Sequence, residues 1–177
     1  MLSTNILILI GTAVFIIILW TVIGIKHLSN LSKNTDQVWN NVNVKLKKRY
    51  DLLPLLIETI RIYKKDAEDM ISTCIALRQK AVLKYYPDAE KLEAEHNLTQ
   101  VINQLFYLGI SVKELLNDSV YLELRKEIDE LEKSTDENTK LFNEAVRKYN
   151  STRKSIFLIL LSLIFSFKEK NIFEFEV

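Results

Sequence analysis

The sequence has little of the residue types that interrupt regular structure or crosslink it. It contains three glycines, two prolines and one cysteine in 177 residues. An all-β protein needs many tight turns built on glycine and proline, so their scarcity excludes that class. The single cysteine, Cys74, excludes an intramolecular disulfide and a two-cysteine metal knuckle, and three glycines cannot build a glycine-rich phosphate loop. Long helices are the expected consequence.

Net charge is also low, at +1, but the charges are unevenly distributed. Residues 26–65 contain nine Lys/Arg against three Asp/Glu, residues 66–139 contain eight against sixteen, and residues 140–177 contain seven against four. A nucleic-acid-binding protein needs a contiguous basic face or a recognition motif, and this sequence shows neither. We therefore predict no nucleic-acid partner.

One long apolar run lies near the N-terminus. Ile6–Ile25 has twenty residues without a charge, and as a helix it is about 30 Å long, the thickness of a bilayer's hydrocarbon core. A cleaved signal peptide would have a basic start and a shorter apolar stretch, so we expect a retained anchor that contacts membrane lipid through residues 6–25. Lys26 and Lys33 follow the run and no cation precedes it. This predicts a single-pass cell-membrane protein with a short N-terminus outside and the C-terminal domain in the cytoplasm.

From Leu28 onward the apolar residues recur with the period of a helix. Three amphipathic helices are predicted, the first kinked or interrupted at Pro54, with Asp88 as the N-cap of the second and a turn at residues 117–119 before the third. Such helices cannot bury their apolar stripes alone, and their short connections favour an intramolecular bundle over a dimeric coiled coil. The predicted fold is all-α, with an N-terminal transmembrane helix followed by an antiparallel bundle of long helices. The predicted stripes include Thr35, Val42, Leu46, Leu53, Ile60, Ile71, Cys74, Leu98, Ile102, Leu105, Leu116, Val120, Ile128, Phe142, Val146 and Tyr149.

The predicted domains follow from this pattern. Residues 1–27 form the short N-terminus and anchor, residues 28–155 the helical bundle, and residues 156–177 an apolar C-terminal tail packed on the bundle. The second apolar run, 156–167, is too short to cross a bilayer, since its twelve residues span about 18 Å as a helix. We interpret it as a helix end leading into an extended tail, and a segment that dips into the membrane is the alternative.

Residues 45–49 contain four cations next to an apolar segment. On a helix, two of the lysines point away from the apolar stripe, whereas Arg49 falls inside it, and Arg78 falls on the stripe of the next segment. A buried arginine needs partners, and its five donors can join several helices. We hypothesise that Arg49 and Arg78 organise buried polar networks with Thr135, Asn138 or a carboxylate. In the alternative, both arginines lie at the rim of the stripe.

The candidates for chemistry are few. Glu93 and His96 form one Glu-x-x-His pair, whereas di-iron bundles use two such pairs plus two further inward glutamates. The other histidine, His27, lies at the membrane border. We therefore expect no catalytic, cofactor or metal site, and a metal-dependent enzyme is the weakest functional alternative.

Taken together, these motifs resemble the LemA family. The first block begins at Trp39 with WNNVNVKLKKRYDLLPLLIETI and ends at Arg78, and the second is FNEAVRKYN at residues 142–150. The resemblance implies a membrane-anchored antiparallel bundle with its bulk in the cytoplasm and a structural role for the motif residues. The resemblance implies no catalytic mechanism, because the family has no established one. Some relatives resemble organelle-membrane proteins of magnetotactic bacteria, which suits a structural or assembly role. The motif residues are Trp39, Arg49, Asp51, Pro54, Glu58, Arg78, Tyr149 and Asn150.

Two main functions compete on this basis. The first is a non-enzymatic scaffold or adaptor at the inner face of the membrane, with an unidentified protein partner and self-association as a further option. The second is a signalling or sensor module in which a hinge at Pro54 changes the packing of the bundle.

Overall fold

The structure, a computed structural model, describes residues 2–175, and its side chains are described from Thr4 onward. Residues 2–175 contain no strand, so the predicted all-α class is confirmed. Single turns of 3-10 helix at Lys65–Ala67 and Leu115–Asn117 precede the second and fourth helices. The helices are α1 (Leu2–Tyr63), α2 (Glu68–Leu83), α3 (Ala89–Ile110), α4 (Ser119–Arg153) and α5 (Ile159–Ile164).

Helix α1 continues through Pro54, so of the two predicted outcomes there the interruption is wrong, and the kink stays a prediction. Proline removes only its own backbone donor, and the helix resumes when the carbonyl group left without that donor finds another partner. The break lies instead after Tyr63, where Lys64 adopts a φ of −139° and the chain turns into α2. Arg78 therefore belongs to a separate helix, α2, and not to a continuation of the first helix after Pro54.

The predicted starts of the later helices are confirmed. The Asp88 carboxylate accepts a hydrogen bond of 2.8 Å from the backbone N–H of Lys91 at the start of α3. Asp118 accepts one of 3.0 Å from the N–H of Tyr121 at the start of α4. Both aspartates satisfy a donor that has no partner inside the helix, which is why they favour this position.

The chain divides into two compact units, and α1 and α4 each contribute to both. The first, which we call the bundle unit, comprises residues 38–143 and the chain from Asn171 onward. Most predicted stripe residues in it are buried, but Leu116 and Val120 are exposed. Their neighbours Leu115 and Tyr121 are fully buried instead, because the 3-10 turn at Leu115–Asn117 changes which side chains face inward.

The second unit, which we call the anchor unit, comprises residues 1–37 and 144–170. Its part of α1 includes one segment that is long and apolar enough, by length and composition, to cross a membrane, and the side chains of that segment are exposed. Leu28, Val146 and Tyr149 are buried within this unit. The second apolar run is not an extension of the long helix, because α4 ends at Arg153 and α5 is a separate short helix.

The predicted domain boundaries after residues 27 and 155 stay predictions. Residues 176 and 177 of the predicted tail lie outside the described residues, and the rest of the tail after α5 has no regular secondary structure.

Candidate functional site

A cluster of buried charged side chains lies within the bundle unit, centred on Arg49 of α1. Arg49 is fully buried, as are Glu95 of α3 and Glu132 of α4. The Arg49 guanidinium donates to Thr99 Oγ1 at 2.8 Å and to Glu132 Oε1 at 3.2 Å, and its other terminal nitrogen donates to Glu95 Oε2. A planar guanidinium with several donors can make all three bonds at once, so one side chain joins three helices.

Lys91 and Tyr50 extend this cluster. The Lys91 ammonium is buried and lies 2.8 Å from Glu95 Oε1, 2.7 Å from the Tyr50 hydroxyl and 2.8 Å from the carbonyl oxygen of Ala81. The Tyr50 hydroxyl in turn donates to Glu95. The Ala81 carbonyl lies in the last turn of α2 and also accepts a longer hydrogen bond of 3.4 Å from the Lys84 N–H, so Lys91 adds a charged donor at the end of that helix.

Two buried cations therefore face two buried carboxylates, and the formal charges balance. Burial lowers the pKa of Lys91, and the neighbouring Glu95 carboxylate partly opposes that shift. Burial raises the pKa of Glu132, and Arg49 partly opposes it. The pKa of Tyr50 is raised, chiefly by burial and then by the negative charge of Glu95. Desolvation is the largest cause in all three groups, which is the cost of placing charges away from water.

Pro54 and Arg78 are linked through the backbone of Tyr50. In an uninterrupted helix the N–H of residue 54 would donate to the carbonyl of residue 50, but proline has no N–H. The Arg78 Nε donates to that carbonyl oxygen at 2.7 Å. The arginine of α2 thus supplies the hydrogen bond that the proline of α1 removes, which explains how α1 continues through Pro54.

The hypothesis of a buried polar network is therefore correct for Arg49. Arg78 is half-buried, which agrees with the alternative that placed it at the rim of the apolar stripe. The expected partners Thr135 and Asn138 are wrong, because their side chains donate to carbonyl oxygens of their own helix, at Leu131 and Ser134. The expected carboxylate partner is correct, since Arg49 binds two of them.

Trp39 anchors the other end of α1 in the bundle unit. Its indole N–H donates to the Tyr85 carbonyl at 2.7 Å, and its ring packs against Phe142 and Phe173 at centroid distances of 5.0 and 5.1 Å. Asn143 holds the backbone of Phe173 by accepting from its N–H at 2.8 Å and donating to its carbonyl oxygen at 2.7 Å. These contacts fix the chain after Asn171 to the bundle.

The remaining motif residues do not join the charged cluster. Asp51 and Glu58 are exposed, and Glu58 forms a surface ion pair of 2.8 Å with Arg61. Tyr149 and Asn150 belong to the anchor unit, where the Tyr149 hydroxyl donates to the Lys168 carbonyl at 2.8 Å. Asn150 makes two bonds to the backbone of Lys170, at 2.7 and 3.1 Å.

Sequence reasoning missed Lys91, Glu95 and Glu132, although a signal for them was present. Lys91 and Glu95 lie seven and three residues before Leu98, so they share its stripe on α3. Glu132 lies four residues after Ile128 on the stripe of α4. Charged residues at apolar stripe positions on different helices are the pattern that predicts an internal ion cluster.

Little in the described residues points to catalysis. No group of three His, Cys, Asp or Glu side chains in this part of the chain is arranged to hold a metal ion. Glu93 and His96 are exposed on α3, and burial raises the pKa of Cys74 to about 11. A cavity of about 290 Å³ between α1, α2 and α3 is lined largely by apolar surface, with Lys47, Asp51 and Arg78 among its polar residues. The charged cluster itself is paired and buried, which suits stabilisation better than reaction with a substrate.

Comparison with known proteins agrees with the motifs. The family model described as the LemA family matches residues 38–177. No curated protein matches the sequence.

Proposed function

The chain belongs to the LemA family, and we propose that it is a membrane-anchored scaffold or adaptor whose bundle unit binds a protein partner without catalysing a reaction. The observation on which this proposal depends is that α1, Leu2–Tyr63, is one helix that includes both the apolar segment and the Trp39–Pro54 motif. The chain thus runs from the apolar segment into the motif within a single helix.

The orientation in the membrane follows from charge. Lys26 and Lys33 lie just after the apolar segment, and the positive-inside rule places such residues on the cytoplasmic side. We therefore propose that the bundle unit lies in the cytoplasm at the inner face of the cell membrane.

The buried ion cluster supports a binding role over an enzymatic one. Paired charges in the core contribute little net stability relative to apolar side chains, but they disfavour alternative packings in which one charge loses its partner. A bundle held in one arrangement presents a constant surface, and this is what a scaffold requires. The exposed face of α4 includes Lys126 and Lys140, whose side chains are largely exposed.

Photo-crosslinking in cells tests this proposal. A photoreactive amino acid is placed at Lys126 or at Lys140 in the full-length chain, and the same sites are tested in a version lacking residues 1–26. We expect a discrete protein adduct from the anchored chain at one of these sites, and a much weaker adduct from the version without the anchor. If neither site gives a protein adduct above background in the anchored chain, the scaffold proposal is wrong.

A further inference from the structure

The loop between α4 and the C-terminal tail exposes an unusual amount of apolar surface. Ile156 is 88% exposed, Leu160 is 63% exposed and Ile164 is 71% exposed. Soluble proteins rarely expose large contiguous apolar patches unless the patch contacts another protein or a membrane. We call residues 156–165 the loop tip. Its exposed apolar residues are Ile156, Phe157, Ile159, Leu160, Leu163, Ile164 and Phe165.

The loop tip packs against the apolar segment of α1, within the anchor unit. Leu161 is buried, and it lies with Leu158 against Gly24. A Cβ atom at Gly24 would lie 2.6 Å from Leu161 Cδ1 and 2.9 Å from Leu158 Cδ2, so the absence of a side chain permits this close approach. Gly24 is part of Ile6–Ile25. The exposed surface of the loop tip is therefore continuous with that of the apolar segment.

The base of the same loop is polar. Glu169 pairs with Arg153 at 3.1 Å and with Lys154 at 2.7 Å, which joins the two ends of the loop. Lys170 pairs with Asp36 of α1 at 2.6 Å. Asp36 lies twelve residues after Gly24, which is roughly 18 Å along a helix. The polar base of the loop thus lies beside Asp36 of α1, and its apolar tip lies beside Gly24, within the apolar segment.

The backbone of the loop is suited to an apolar solvent. Hydrogen bonds join Ser162 N–H to the Leu158 carbonyl at 2.8 Å and Phe165 N–H to the Leu161 carbonyl at 3.0 Å. Ser166 then adopts a φ of 54° and reverses the chain, and the Phe167 N–H donates to the Ser162 carbonyl at 2.9 Å. Backbone groups in lipid must be paired in this way, because no water is present to pair them.

We propose that the loop tip inserts into the membrane beside the end of the apolar segment, with its exposed side chains among the lipid acyl chains. Six residues of helix span about 9 Å, which suits shallow insertion rather than crossing. Lys154 and Lys168 border the loop tip, at the level where anionic headgroups attract cations. This inference rests on the membrane anchor of the proposed function and adds a second point of attachment to it.

Lipid-specific fluorescence quenching tests the inference on the full-length protein. A single environment-sensitive fluorophore is attached at Leu160→Cys, at Phe15→Cys within the apolar segment, or at Leu55→Cys in the bundle unit. Leu55 is 52% exposed, so it is a matched control for Leu160. Cys74 can stay in place because it is buried and its thiol pKa is raised to about 11. Each protein is reconstituted into vesicles of phosphatidylcholine and phosphatidylglycerol with spin-labelled acyl chains.

We expect a clear loss of fluorescence at Leu160→Cys, smaller than that at Phe15→Cys because the insertion is shallow, and none above background at Leu55→Cys. Quenching at Phe15→Cys without quenching at Leu160→Cys would overturn the inference and leave the anchor intact. No quenching at Phe15→Cys would overturn the anchor, and with it the proposed function. Shielding of Leu160→Cys both from the lipid quencher and from aqueous iodide would show that protein covers the loop tip, and the inference would again be wrong.

Discussion

The bundle unit and the anchor unit place their charged and apolar side chains in opposite ways. In the bundle unit, Arg49, Lys91, Glu95 and Glu132 are buried and paired with one another. In the anchor unit, the apolar side chains of Ile6–Ile25 and of the loop tip are exposed, and ion pairs such as Arg153–Glu169 lie nearer the surface. The arrangement in the bundle unit suits a surface in water, and its buried charges need partners of opposite charge. The arrangement in the anchor unit suits lipid outside, as we propose.

Ion pairs in the two units also differ in what happens when one partner is removed. A pair inside the bundle cannot be replaced by water when one partner is removed, whereas a partly exposed pair can. Substitutions in the two units should therefore differ widely in their effects on stability, although each removes one charge.

Replacing Arg49 should have the largest effect. Arg49→Met leaves the Glu95 and Glu132 carboxylates buried without their shared cation, and we expect a loss of about 3–5 kcal/mol in the free energy of unfolding. Chemical denaturation of the full-length protein in detergent, followed by circular dichroism, measures this loss. Lys48→Met is the matched control, since it removes a neighbouring cation that is exposed. Equal losses for the two variants would show that the buried cluster contributes no more to the free energy of unfolding than an exposed cation does.

The bond between Arg78 and the Tyr50 carbonyl should have a smaller effect that depends on Pro54. Arg78→Met leaves the carbonyl without a donor, and we expect a loss of about 1–3 kcal/mol. In a Pro54→Ala background the N–H of residue 54 can donate to that carbonyl instead, so the same Arg78 substitution should cost less. A double-mutant cycle by chemical denaturation measures this coupling. A cost of Arg78→Met that is the same in both backgrounds would contradict the proposed compensation.

The Glu132 carboxyl should give the stability of the bundle a distinct pH dependence. Its pKa is raised in the folded state, so its contribution is fully present below the ordinary carboxyl pKa and is lost as the pH rises through the raised value. The stability of the parent protein relative to Glu132→Gln should therefore be greatest in acid and fall toward neutral pH. Denaturation at a series of pH values checks this, with the exposed Glu130→Gln as control. If the stability of the parent protein relative to Glu132→Gln instead increases with pH, the pKa of Glu132 is not raised in the folded state.

The smallest effect is expected at the base of the loop in the anchor unit. Glu169→Gln removes both the Arg153 and the Lys154 ion pairs, but its carboxylate is half exposed and water can solvate the cations that remain. We expect a loss in the free energy of unfolding, measured by the same chemical denaturation, that is smaller than the losses for Arg49→Met and Arg78→Met. A loss as large as that of Arg49→Met would show that the two units do not differ in the way described.

Much of the fold could be predicted because it depends on local chemistry. The period of the apolar residues gave the helices, and Asp88 and Asp118 marked two of their starts through the N–H groups they satisfy. The continuation of α1 through Pro54 could not be predicted, because it depends on a donor from Arg78, twenty-four residues away in the sequence. The turn after Tyr63 has no glycine or proline to mark it.

The charged cluster was only half predictable for a related reason. Helix geometry placed Arg49 inward, and the energetic cost of an unpaired charge required a partner. The identity of that partner depends on the register between helices, which the period of a single helix does not contain. Thr135 and Asn138 were polar and on the correct helix, yet their side chains bond to their own backbone.

A scaffold requires a bundle that is held in one arrangement and does not change its packing at Pro54. Spin labels at Asn40→Cys and Asp69→Cys, both exposed sites in the bundle unit, allow the distance between α1 and α2 to be measured in the full-length protein in membranes. For a bundle held in one arrangement we expect a single narrow distribution of distances. Two resolved distances in the same sample would contradict it and favour a signalling module with a hinge.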